Sequence, residues 1–139
     1  MLETYQSVFV GLWLILSTII IQSIILIIAH RKQKGYKVGV MDPALGQESF
    51  LFRSYRTFWN SLENIVPMFG MVLVAILAGY EVEALNLLVW IYAISRIIHM
   101  LFYYFIATNK NPSARSIFYV SGFLANLYLM LDLGVFLIR

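Results

Sequence analysis

VFVGLWLILSTIIIQSIILIIA, Val8 to Ala29, runs for 22 residues without a charged side chain. At a helical rise of about 1.5 Å per residue, such a run is long enough to cross the hydrocarbon layer of a bilayer, about 30 Å thick. Working outward, Val66 to Tyr80 continues a second apolar helix, and Ile117 to Leu131 is again uncharged. Ala84 to Ala107 is long and apolar too, but Arg96 and His99 interrupt it. With 61% apolar and only 12% charged residues, the chain lies outside the range of ordinary soluble domains, which makes lipid its solvent. The expected fold is all-α, a single integral membrane domain over residues 1–139 with four transmembrane helices at about 5–30, 47–79, 84–107 and 113–138. The first helix is expected to be permanent rather than a signal peptide, because it has no basic leader and no small-residue cleavage pattern.

The net charge is only +3, yet the basic residues are unevenly placed. Arg31, Lys32, Lys34, Lys37, Arg53, Lys110 and Arg115 fall near the first and third connections, whereas Glu81 and Glu83 occupy the second. The positive-inside rule then places the first and third connections in the cytoplasm and both termini on the other side. The same rule accounts for the basic cluster without nucleic acid, and no nucleic-acid partner is expected. There is no cysteine, which excludes disulfides and thiolate metal sites; His30 and His99 lie far apart without carboxylates at ligand spacing, so no metal is expected either. The segment from Lys34 to Gly46 is the one true loop, and TNKNP, Thr108 to Pro112, is a turn.

Polar residues gather on helical faces. Arg53, Arg56, Asn60 and Glu63 recur every three or four residues along the second helix, and Arg96, His99 and Tyr103 do the same on the third. Arg115, Ser116 and Tyr119 open the fourth. Counted from the cytoplasmic side at about 1.5 Å per residue, Asn60 and His99 lie at about 10–12 Å, and Glu63 and Arg96 at about 15–16 Å. An unpaired charge at such depth costs about 2.5–3.5 kcal/mol, so Glu63 and Arg96 are expected to form an ion pair. Above them Asn60, His99, Tyr103, Arg56, Arg115 and Arg31 would line a cationic funnel suited to a ligand with several carboxylates. Arg53 reads as a solvated or headgroup-facing residue, Gln22 and Ser23 as interhelical hydrogen-bond formers, and Trp13, Trp90 and Tyr104 as packing or interfacial anchors. Asp132, inside the last helix, has no evident partner in the sequence.

RSYRTFWNSLENIVPMF (Arg53 to Phe69), SRIIHMLFYY (Ser95 to Tyr104) and NPSARSIFY (Asn111 to Tyr119) together resemble the MAPEG family, membrane-associated proteins in eicosanoid and glutathione metabolism. NSLENIVPMF gives the stretch the flavour of the microsomal glutathione transferases. The resemblance implies a homotrimer of four-helix subunits that binds glutathione between neighbouring subunits near the cytoplasmic side. Its glutathione contacts would fall on Arg56, Asn60, Glu63, His99, Tyr103, Arg115, Ser116 and Tyr119, with Arg31 a looser transfer. Arg115 takes the place of the residue that stabilises the glutathione thiolate, with Arg31, Ser116 or Tyr119 orienting the reacting groups. The implied activity is transfer of glutathione to a hydrophobic electrophile, or reduction of a lipid hydroperoxide, drawn from membrane lipid. Phe58 and Trp59 stand where some members carry a histidine and an arginine, which points to an aromatic substrate surface. Two other readings stand beside this one: a non-catalytic lipid-binding scaffold of the same fold, and a small transporter, since buried membrane charges also mark ion paths. A transporter would show broken helices or internal repeats, and the sequence shows neither.

Overall fold

The computed structural model describes residues 2–139, which form four helices: α1 (Gln6–Arg31), α2 (Phe50–Ala78), α3 (Val82–Phe105) and α4 (Ala114–Ile138). All four are long and apolar enough to span a membrane. α2 starts at Phe50 rather than near Gln47 because Gly46 to Ser49 closes a turn, the Ser49 amide donating to the Gly46 carbonyl at 3.0 Å. Ser49 then caps the helix, its Oγ accepting from the Phe52 amide at 3.3 Å. At the other end Gly79 takes a left-handed conformation with φ 71°, open to glycine at no steric cost, and closes α2. Pro67 lies inside α2 without ending it. α3 begins at Val82, directly after that turn, because the Glu81 carbonyl already accepts from the Leu85 amide at 3.1 Å.

The loop between α1 and α2 is held against the end of α1. His30 Nε2 donates to the Val40 carbonyl at 2.8 Å, and Gln33 Nε2 donates to the same oxygen at 3.0 Å. Asn111 and Pro112, in the turn between α3 and α4, are joined by a cis peptide bond.

α2 buries one stripe, Ser54, Thr57, Ser61, Ile65, Met68, Val72 and Ala75, at spacings of three and four. The hydroxyls at its upper end cost little because Ser54 Oγ donates to the Phe50 carbonyl at 2.8 Å and Thr57 Oγ1 to the Arg53 carbonyl at 2.7 Å. The lower part of the stripe joins Val8, Leu85, Val89, Ala93 and Leu129 in an apolar core that fills the half of the bundle around the α2–α3 turn. Gly11 permits α1 to lie directly on α3: a Cβ there would come within 2.7 Å of Val89 Cγ1. We expect Gly11→Val to destabilise the protein by the about 1–3 kcal/mol typical of overpacking, read as a lower melting temperature in detergent. Gln22, buried in α1, donates to Met100 Sδ of α3 at 3.2 Å, as expected of an interhelical polar contact.

α1 packs on α2 and α3 but makes no contact with α4, whereas α3 and α4 pack extensively. That asymmetry leaves the end of the bundle where α2 starts and α3 finishes without an apolar core, and polar side chains fill it.

The opposite end carries a tether. Tyr5 donates its hydroxyl to the Tyr80 carbonyl at 3.0 Å, and Tyr80 donates its own hydroxyl to Asp132 Oδ2 of α4. Asp132 therefore has a partner that helical spacing alone did not reveal. Burial, the Asp132 hydrogen bond and nearby acidic charge push the Tyr80 phenol above its ordinary value of 10.0. A raised value means that the folded protein holds this proton more tightly than the unfolded chain does. The corresponding stability is complete below about pH 10 and is lost as pH rises through the folded value. Thermal melts of the native protein should therefore fall above about pH 10, and Tyr80→Phe should flatten that fall.

Candidate functional site

At the polar end a cleft of about 460 Å³ opens between α3, α4, their connecting turn and the flank of α2. Asn60, His99, Tyr103, Arg115, Ser116 and Tyr119 all line it, joined by Gln47, Thr108, Lys110 and Asn111. Six of the nine residues singled out in the sequence thus share one cavity. Its size lies within the range of small-molecule sites, about 300–1,000 Å³.

Arg115 is the centre of the arrangement. It is only 7% exposed, at the first turn of α4. Its Nη2 donates to the Thr108 carbonyl at 2.7 Å, its Nη1 to Gln47 Oε1 at 3.1 Å, and its guanidinium lies 4.2 Å from the centre of the Tyr103 ring. These are all neutral partners. No Asp or Glu lines the cleft among the described residues, while Lys110 adds a second positive charge at its rim. The cleft therefore carries uncompensated positive charge in a setting walled by aromatic rings.

Beneath it lies a second guanidinium. Arg96, 5% exposed, donates through Nη2 to Asn60 Oδ1 at 2.6 Å, and Nε and Nη1 have no partner. His99 stands among the rings, with centroids 5.1 Å from Tyr103 and 5.9 Å from Tyr119. Gly122 on α4 makes room for the aliphatic part of Arg96, whose Cδ would lie 3.4 Å from a Cβ at that position.

The expected Glu63–Arg96 ion pair is not formed. Depth alone matched the two residues, but direction does not: at about 100° per residue, Glu63 sits about 200° around α2 from Ser61, facing away from the bundle. Glu63 is exposed, and so is Arg56. Arg96 instead takes Asn60, which flanks the buried stripe. Arg31 is also exposed and lies in a different cleft, because α1 does not meet α4. Within one subunit the funnel therefore contains neither Arg31, Arg56 nor Glu63.

Arg53, expected to be solvated, is half-buried and acts as a clamp. It donates through Nη1 to the carbonyls of Gln47 at 2.6 Å and Glu48 at 3.1 Å, and through Nη2 to that of Tyr104 at 3.4 Å. It ties the start of α2 to the end of α3. Ser116 Oγ accepts from the Ser113 amide at 3.1 Å and donates to Asn111 Oδ1 at 3.4 Å, so it shapes the entrance of α4 as well as facing the cleft. Gln47 and Thr108 were not picked out in the sequence. Gln47 reads in the sequence as the opening residue of the second helix, with nothing to mark it as a site residue, and Thr108 contributes a backbone oxygen, to which residue type gives no clue.

A second cleft of about 460 Å³ lies on the far side of α2, lined by Leu26, Ile27, Tyr36, Tyr55, Phe58 and Trp59, with His30 and Arg31 at its edge. Its walls are chiefly apolar and aromatic.

The helices and the cleft define a multi-pass integral membrane protein with a buried, anion-seeking site at one end of its bundle. The chain belongs to the MAPEG family, whose sequence model matches residues 7–135. Membership places it among membrane proteins of glutathione-related or eicosanoid metabolism, a family that includes glutathione transferases and related enzymes. No curated protein and no solved structure matches the chain.

Proposed function

We infer that this protein is a membrane glutathione transferase, with a capacity for lipid hydroperoxide reduction, of the kind represented by microsomal glutathione transferases. The observation that carries this is the buried Arg115 guanidinium, held by neutral groups only and facing a cleft without a carboxylate among its described residues. A free thiol ionises with a pKa of about 8.5, and a guanidinium within reach favours the thiolate by direct attraction. Arg115 would stabilise the thiolate of glutathione. Asn60, His99, Tyr103, Ser116 and Tyr119 offer hydrogen bonds to the remaining polar groups of the tripeptide.

In conjugation the thiolate sulfur forms a bond to an electrophilic carbon, whose leaving group departs with the electron pair. In peroxide reduction the sulfur attacks the outer peroxide oxygen and the O–O bond breaks, leaving an alcohol once a proton is added. A second glutathione thiol then releases water and forms the disulfide. Apolar substrates would arrive from the bilayer, and the aromatic cleft containing Phe58 and Trp59 provides a surface of matching character. Assembly as a homotrimer would bring Arg31, Arg56 and Glu63, which face outward in the isolated subunit, to a glutathione site shared with a neighbour. With the basic loops in the cytoplasm, the site opens to that side and both termini lie opposite.

The test is conjugation of glutathione to a generic aryl halide by the detergent-purified protein. Turnover above the uncatalysed rate is expected. Glutathione binding without turnover would favour a non-catalytic lipid-binding member of the family, and no binding at all would remove glutathione from the account.

A further inference from the structure

Arg115 is held by two kinds of acceptor. Thr108 offers a backbone carbonyl, fixed by the turn it belongs to. Gln47 offers the end of a flexible side chain, half-buried and reaching across from the segment that leads into α2. The backbone of that segment is pinned by the Arg53 clamp, which takes the carbonyls of both Gln47 and Glu48. The amide can therefore swing while its base stays in place.

We propose that Gln47 is a positioning residue whose amide oxygen occupies the Nη1 side of Arg115, aims the guanidinium into the cleft, and gives way when an anionic sulfur docks there. This rests on Arg115 being the partner of the glutathione thiolate. The bond to the amide oxygen has one ionised partner, the guanidinium, whereas a thiolate makes both partners ionised and adds direct charge–charge attraction, so a thiolate displaces the amide oxygen with a net gain. A carboxylate at the same place would form a bidentate pair with the guanidinium, and an incoming anion would then exchange one charge for another without that gain. An amide satisfies the buried N–H group and leaves the charge available. Gln47 thereby sets how strongly the site favours thiolate over thiol.

Other titratable or charged groups face Arg115 from the elements around it: His99 and Tyr103 from α3, Tyr119 from α4, and Lys110 from the α3–α4 turn, with Arg96 below. α2 contributes the neutral Asn60 and, against the backbone of Gln47, the charged Arg53. Their titrations are common to all variants at position 47, so a comparison at that single position isolates its charge.

The experiment follows the thiolate absorbance of bound glutathione against pH for the native protein, Gln47→Glu and Gln47→Lys. The bound thiol should ionise at least about one pH unit higher in Gln47→Glu, a tenfold change in ionisation, and below the native value in Gln47→Lys. A residue that only supported the loop would change affinity or stability in both variants without moving the thiol's titration in opposite directions. Where the glutamate variant fails to fold, Gln47→Lys decides alone by the sign of its shift. Variants that bind glutathione and titrate as the native protein does would overturn the role of Gln47. Native protein in which the bound thiol titrates no lower than a free thiol, about 8.5, would overturn the role of Arg115 first, and that of Gln47 with it.

Discussion

Replacing Arg115 with alanine is expected to lower kcat/KM for glutathione conjugation by about 10²–10³, the usual consequence of removing a preorganised group that stabilises developing or resident negative charge. The thiolate absorbance that accompanies glutathione binding should disappear in the same variant. The effect is expected to be large because Arg115 is the buried cation that itself lines the cleft, and no acid in the described lining competes for it. Arg115→Lys should recover only part of the loss. A lysine keeps the charge but cannot hold Thr108 and Gln47 on two separate nitrogens while lying over the Tyr103 ring. Wild-type rates in Arg115→Ala would remove this residue from the chemistry.

The second large effect is expected at Asn60. Asn60 Oδ1 is the hydrogen-bond acceptor of Arg96, whose other guanidinium nitrogens are already unpartnered and buried. Asn60→Leu keeps the branching of the side chain and removes that acceptor. Loss of a hydrogen bond to a charged group costs about 1.5–3 kcal/mol, and a buried guanidinium left without any hydrogen-bond acceptor stands at the upper end of that range. Thermal melts in detergent should show the loss. Asn60→Asp should behave differently, because a carboxylate would pair with Arg96 and restore stability. It would also bring a negative charge to the cleft wall and weaken binding of an anionic ligand. Stability and glutathione affinity should thus separate in the two Asn60 variants, which a purely structural role for the residue would not produce.

Much of the architecture was legible in the residues. Val8 to Ala29 and the later apolar runs have the length of a bilayer crossing, and the helices follow from that constraint because a backbone in lipid must satisfy its own hydrogen bonds. The polar faces were legible too: Asn60, His99, Tyr103, Arg115, Ser116 and Tyr119 share a cleft because their spacing keeps each set near one side of its helix.

Azimuth across helices was not legible. Rise per residue gives depth, but which flank of α2 turns toward α3 depends on packing of the Ser54 to Ala75 stripe, and that put Asn60 rather than Glu63 beside Arg96. The same limit hid the separation of Arg31 from Arg115, which follows from α1 packing away from α4. Tertiary partners of isolated polar residues were equally hidden. Arg53 finds three backbone carbonyls and Asp132 finds Tyr80, and none of these pairings leaves a periodic trace in the chain.

The most direct measurement is an experimental density map of the detergent-solubilised protein with glutathione bound. The sulfur is expected at hydrogen-bonding distance from the Arg115 guanidinium, with the Gln47 amide turned aside and Asn60, His99 and Tyr119 around the ligand. Glutathione seated elsewhere, for instance against Arg31, Tyr36 and Trp59, with Arg115 still bonded to Gln47 and Thr108, would contradict the account.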